Sequence, residues 1–225
     1  MRTGWLGLVV LLVLTAAPAW AQKVDGAGVP YREWDLDGGF GFLVADRDEV
    51  AGASESYDEW GGSWIGDVYV GRYWNSHFKT SAGFSSGTST SWSGYEEVTV
   101  PTGQVGTAWL FGDTRSTHLV LSGTWQFLDN TFAHPYVSGG ARVAFLALES
   151  QRSSYAQAQV NGTWRSFTIP VVERSWHEVR TRPFVAVGSK AYFNERLYVR
   201  PEFALLFNDR GASQWGLRLG FGVDF

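Results

Sequence analysis

Covalent chemistry, if this chain performs any, would have to start from its 4 histidines and the serines beside them. Ser116 stands two residues before His118. Ser175 stands two before His177, with Glu178 next along. In an extended chain residues i and i+2 share a face, so each serine and its histidine can point the same way. A hydrolase needs that pair and also a carboxylate that orients the imidazole. Only Glu178 is close enough in sequence to offer one, so no complete set is specified and both pairs read as exposed polar residues at a strand rim. His77 and His134 sit beside short turns. No paired His or Cys spacing suggests a metal, and no glycine-rich loop suggests a phosphate. No catalytic, cofactor-binding or metal-binding residue is therefore expected, and no cofactor. Asn161-Gly162-Thr163 spells a glycosylation acceptor but reads as a loop turn.

A second set of residues could act through charge. The acids are Asp35, Asp37, Asp67, Glu202 and Asp224; the bases are Lys79, Arg142, Arg180, Arg182, Lys190, Arg200 and Arg218. Each falls on the polar parity of an alternating segment. Such residues either line an ion path or pair with one another, and the elements that carry them decide which.

Those elements are strands. From Gln214 onward Trp215, Leu217, Leu219, Phe221, Val223 and Phe225 alternate with Gln214, Gly216, Arg218, Gly220, Gly222 and Asp224. Period two without exception means one greasy and one polar face. Similar alternation runs over 32–44, 64–73, 78–85, 116–127, 135–148, 178–192 and 197–207. In the first, Trp34, Leu36, Phe40 and Phe42 oppose Asp35, Asp37, Gly39 and Gly41. Three connections, 74–77, 128–131 and 193–195, are short and carry an asparagine. Those at 46–62, 86–112 and 149–176 are long and polar, while 208–212 is short. Tilted strands need ~9–11 residues to cross a hydrocarbon layer. The expected fold is all-β, an eight-stranded antiparallel up-and-down transmembrane barrel with a polar, filled interior. Eight strands enclose a space just wide enough for side chains to fill. The charges are thus expected to pair across the lumen and plug it; the alternative is a selective pore lined by the bases.

Residues 1–21 have a charged start, an apolar run and Ala19-Trp20-Ala21, the pattern of a cleaved signal peptide. The run is too short for the ~20 residues of a spanning helix. Residues 22–31 are expected to form a periplasmic lead and 32–225 the barrel. Loss of Arg2 would leave 17 basic against 22 acidic residues, which argues against nucleic acid as a partner. The chain has no cysteine, so a closed hydrogen-bonded barrel must hold the exported protein together without disulfides. The aromatic content of 16% suits interfacial girdles and the 27 glycines suit tight interiors and turns. A mean hydropathy of −0.12 fits a barrel, where only alternate residues meet lipid.

Arg182-Pro183-Phe184-Val185-Ala186-Val187-Gly188, the turn Phe193-Asn194-Glu195-Arg196-Leu197, Val199-Arg200-Pro201-Glu202, the earlier echo His134-Pro135-Tyr136-Val137 and the final Phe225 form an ordered set. Together they resemble the small eight-stranded outer-membrane barrels of Gram-negative bacteria, such as the OmpA transmembrane domain, OmpX and the opacity proteins. The resemblance covers 32–225. It implies outer-membrane lipids as surroundings, with the barrel assembly machinery and periplasmic chaperones as partners during biogenesis. The strand from Trp215 to Phe225 would be the assembly signal. It does not imply one activity. A non-enzymatic role, structural or through outer loops that meet an unknown surface ligand, is expected first. Tyr57, Trp60, Trp92, Tyr95, Trp164, Phe167 and Trp176 would supply an adhesive surface or extend the strands. A small passive, porin-like channel of the OmpW kind comes second, and a lipid A-modifying enzyme third.

Overall fold

The computed structural model describes residues 32–46, 55–56, 60–128 and 133–225. The expected signal peptide, the periplasmic lead and Tyr57 lie outside them, as does the side chain of Trp60. The strands are β1 (Trp34–Asp46), β2 (Glu55–Ser56), β3 (Trp60–Tyr73), β4 (Phe78–Gly87), β5 (Thr90–Thr99), β6 (Val105–Gln126), β7 (Ala133–Val160), β8 (Thr163–Thr168), β9 (Val172–Tyr192), β10 (Leu197–Asn208) and β11 (Gly211–Asp224).

Eight of these strands close a ring in the order β1-β3-β4-β6-β7-β9-β10-β11. All its pairings are antiparallel. The last strand meets the first without a register shift, from Asp35↔Asp224 to Ala45↔Gln214. The predicted fold class is the observed one, and closure leaves no free edge in the ring. The alternation seen in the sequence becomes two surfaces. Leu36, Phe40, Val68, Phe84, Leu121, Val185, Leu217 and Phe221 project outward, each more than a third exposed. Their sequence neighbours on the opposite parity point into the barrel.

At one end of the barrel lie the short turns at 74–77 and 193–195, while 129–131 of the third expected turn is outside the described residues. Asn75 Oδ1 accepts the backbone N–H groups of His77 and Phe78 at 2.9 and 2.7 Å. Asn194 does the same for Arg196 and Leu197 at 2.9 and 2.8 Å. Each asparagine thus satisfies donors the sheet cannot reach, which is why this residue recurs there. Trp34, Trp74, Trp125, Phe127, Phe193 and Phe225 are exposed around this end. The Arg72 guanidinium lies 5.5 and 4.7 Å from the Trp34 and Trp74 ring centroids.

The other end differs from expectation. The segments 86–112 and 149–176 read as long polar loops; they are hairpins. β6, β7 and β9 run to 22, 28 and 21 residues, well past the ~9–11 needed to cross a bilayer. β5 takes over from β4 beside β6, from Thr90↔Thr114 to Thr99↔Val105. β8 folds back on β7 through Asn161-Gly162, whose φ values of 50° and 78° are those of a tight two-residue hairpin turn. The Asn-Gly signal was visible; the Ser, Thr, Gln and Arg around it masked the strands. The wall carries its own core of Val98, Val100, Ala108, Ala156, Ala158 and Ile169. Glu96 ties it together, 2.7 Å from Arg174 and 3.8 Å from Arg152.

Candidate functional site: the lumen and its outer wall

Inside the ring the charged residues sort into groups. Nearest the turns, Lys79 Nζ lies 2.6 Å from Asp35 Oδ2. Lys190 Nζ lies 2.6 Å from Asp224 Oδ1 and 3.5 Å from Asp35 Oδ2. Tyr198 donates to Asp35 at 3.0 Å, Lys190 donates to Tyr73 at 2.6 Å, and Tyr192 donates to Asp224. The second group centres on Arg218. Its Nη2 and Nε donate to the two Asp67 oxygens at 2.6 and 2.7 Å, and Nη2 also reaches Asp37. Arg200 lies 3.2 Å from Asp37 and 3.8 Å from Glu202, which accepts from Tyr136 at 2.7 Å.

Nine of the twelve charges proposed for a lumen network are therefore in contact within these two groups. Arg142, Arg180 and Arg182 stand apart. Arg180 makes a two-pronged pair at 2.7 and 2.6 Å with Glu178, two residues away on its own strand. Arg182 Nη1 donates to the Thr181 carbonyl at 3.3 Å. Glu178, considered above only as a partner for His177, pairs with Arg180 instead, and the five tyrosines Tyr69, Tyr73, Tyr136, Tyr192 and Tyr198 had no assigned role; inward parity was the one signal that could have marked them.

Glycines position these large groups. Tyr69 faces Gly83 across the β3–β4 ladder, Tyr198 faces Gly222, and Tyr136 faces Gly188. A Cβ at Gly83 or Gly222 would run into the tyrosine ring opposite, and one at Gly188 would come 2.5 Å from the Tyr136 oxygen. The ring lies down over the bare backbone of its partner and leaves the lumen to the charges.

The interior is not polar throughout. Beyond the charged groups, Leu43, Ile65, Tyr69, Val120, Phe184, Ala186 and Leu206 form a buried apolar layer. The inward face of β1 changes character after Gly41, where Leu43 and Ala45 replace aspartates and glycines. The lumen is thus filled by two charged groups and a greasy layer.

The serine–histidine pairs do not assemble for hydrolysis. His118 is not at an exposed rim: it is 2% accessible, with Nδ1 3.2 Å from Ser85 Oγ rather than bonded to Ser116. On β9, His177 is exposed on the outer parity while Glu178 is on the inner one, so a pleat separates imidazole from carboxylate. Among the described residues no group of three His, Cys, Asp or Glu side chains could hold a metal.

Several solved structures are similar to the chain, each at a TM-score below 0.5. OprG from Pseudomonas aeruginosa is 12% identical, with 88% of this chain and 99% of that one covered at a TM-score of 0.49. The N-terminal β-barrel domain of Pseudomonas aeruginosa OprF is 13% identical, with 86% and 98% covered at 0.47. Ail, the attachment invasion locus protein of Yersinia pestis, is 12% identical, with 87% and 100% covered at 0.44. No protein-family model matches the chain. No curated protein matches it either.

The residues expected to form an assembly signal close the ring. Trp34 N–H donates to the Phe225 carbonyl at 3.1 Å and Phe225 N–H to the Trp34 carbonyl at 2.9 Å. Phe221 and Phe225 are exposed on the outside. Of the aromatics expected in outer loops, Trp92 is buried, its Nε1 donating to Thr114 at 3.2 Å. Phe167 and Trp176 pack against the wall's apolar clusters. Tyr95 and Trp109 instead contact each other on the outer face with ring centroids 4.2 Å apart, and Phe111 stacks on Trp109 at 6.1 Å. Trp164 is 66% exposed at the far hairpin.

Proposed function

We propose that this protein is a non-enzymatic barrel of the bacterial outer membrane whose role lies in the wall of hairpins beyond its lumen. One observation carries the reading: the interior is filled across its width, while β5 to β9 continue outward as a packed sheet with aromatic rings on its face. The apolar belt of the ring and the aromatics near the turns suit a lipid-facing surface with an interfacial girdle. The short turns would then face the periplasm and the hairpins the outside. Export through a signal peptide over 1–21 belongs to the same proposal, as do assembly through the strand ending at Phe225 and contact with periplasmic chaperones. On the hairpin face, Trp109 and Phe111 are the rigid anchors a partner would meet.

The test has two arms. In a planar bilayer the refolded barrel should insert and stay silent. Steady conductance that shifts in Arg182→Ala or Arg218→Ala would establish the channel reading instead. On glycan and protein arrays, liposomes carrying the barrel should retain partners that are lost with Trp109→Ser and Phe111→Ser. Lipid A whose mass spectrum changes on expression, and reverts with His118→Ala, would replace this reading with the enzymatic one.

A further inference from the structure

Among the described residues, β8 pairs with β7 and with no other strand. Thr163 to Thr168 are all exposed except Phe167, which is half-buried. Ile169 N–H donates to the Ser154 carbonyl at 2.9 Å. From there the register runs unbroken, Tyr155↔Thr168 to Val160↔Thr163, up to the Asn161-Gly162 turn. In an antiparallel ladder every second residue exchanges its bonds with the facing strand. Phe167, Arg165 and Thr163 therefore bond β7, while Trp164, Ser166 and Thr168 turn their N–H and C=O groups away from it. No hydrogen bond from another described residue meets those groups.

Strand edges are normally blunted by charge, proline or a bulge. Above Phe184, where β10 no longer pairs with it, β9 carries Glu173, Arg174, Glu178, Arg180 and Arg182. β8 carries Arg165 alone, and that side chain shares the inner face with Ala158. Its edge is thus open to an added strand, held by backbone bonds. The strand that fits it best is β8 itself. In an antiparallel pair centred on Ser166, Ser166 faces Ser166 of a second copy and Trp164 faces its Thr168. Arg165 faces Phe167 of that copy, a cation beside an aromatic ring, and no like charges oppose each other.

Direction then fixes where the second copy stands. β7 runs from the turn end to the hairpin tip and β8 runs back along it. Copies in one membrane point their hairpins the same way, so their β8 strands cannot lie antiparallel. Copies in two facing membranes can. We propose that the β8 edge is a homophilic contact, in which copies on neighbouring cells pair β8 to β8 about Ser166. This rests on the reading that the hairpins stand outside the membrane, and it uses the edge of the wall rather than its Trp109 face.

The test uses intact cells of a Gram-negative host that express the full chain. Two such populations labelled in different colours should form mixed clumps, and labelled cells without the chain should stay out of them. One β8 pair buries far less than the ~1,200 Å² of a standard interface, so clumping should rise steeply with surface density. Ser166→Pro removes the central edge N–H and spares the β7 ladder. It should cut mixed clumps about tenfold, because each weak contact is multiplied over the cell surface. The unboiled barrel should still migrate faster than the boiled one. The chain has no cysteine, so Ser166→Cys marks the register. Facing Cα atoms of a bonded pair lie ~5.5 Å apart, within disulfide reach. Mild oxidation should therefore give covalent dimers with Ser166→Cys and none with Thr163→Cys, which faces Ile169 of the copy. Should Ser166→Pro fail to fold, the cysteine pair decides. Clumps that take up cells lacking the chain, clumping unchanged by Ser166→Pro, or no Ser166→Cys dimer would each overturn the proposal. A membrane-impermeant maleimide on Ser166→Cys cells separates the two readings. Labelled cells that do not clump sink the homophilic contact alone, whereas unlabelled cells sink the outward placement of the hairpins beneath it.

Discussion

At the scale of single residues the barrel depends on compensation between buried neighbours. Arg218 sits between Asp37 and Asp67, and all three are at most 8% accessible. Removing the cation leaves the desolvated Asp67 carboxylate without its guanidinium and Asp37 with Arg200 alone. Arg218→Met should therefore cost about 3–5 kcal/mol, read as a lower urea midpoint for unfolding in micelles. Adding Asp67→Asn should recover much of that loss, because the carboxylate goes with its partner. A steric pairing predicts a second coupling. Gly222→Val should destabilise by forcing the Tyr198 ring off its seat, and Tyr198→Ala should cost less in that background than in wild type. Additive costs in the double-mutant cycle would contradict the cross-strand packing described for this pair.

The elements differ in how well they could be read. β10 and β11 were legible almost to the residue, because the outward positions from Leu197 to Phe207 and from Trp215 to Val223 are all apolar while most inward ones are small, polar or charged. The upper halves of β6, β7 and β9 were not. There Thr107, Arg115, Gln151 and Ser153 stand among the outward residues, so the alternation in hydropathy fades. The inner face keeps the pattern in Ala108, Leu110, Leu148 and Ala156. The two charged groups of the lumen were foreshadowed by parity, but which acid meets which base depends on register and tilt, which no single strand encodes. The hairpin turn gives this scale its prediction. Replacing Asn161 and Gly162 by valines, residues ill-suited to positive φ, should loosen β8 alone. Trypsin should then cut at Arg165 while the barrel still migrates faster unboiled than boiled. Loss of that mobility difference would mean the hairpin and the ring fold as one unit.

For the whole molecule, the consequence lies in the continuity of the wall. β7 runs from Ala133 at the turn end to Val160 at the hairpin tip as one strand, bonded to β6 on one side and to β9, then from Tyr155 to β8, on the other. Ladder hydrogen bonds lie across the strands. A partner that grips the hairpins and pulls away from the barrel therefore loads the ladder in shear, many bonds at once, instead of unzipping them singly. The wall behaves as a stiff post rooted in the ring, so tension on a bound partner should be borne by the barrel's hold on its surroundings before the hairpins give way.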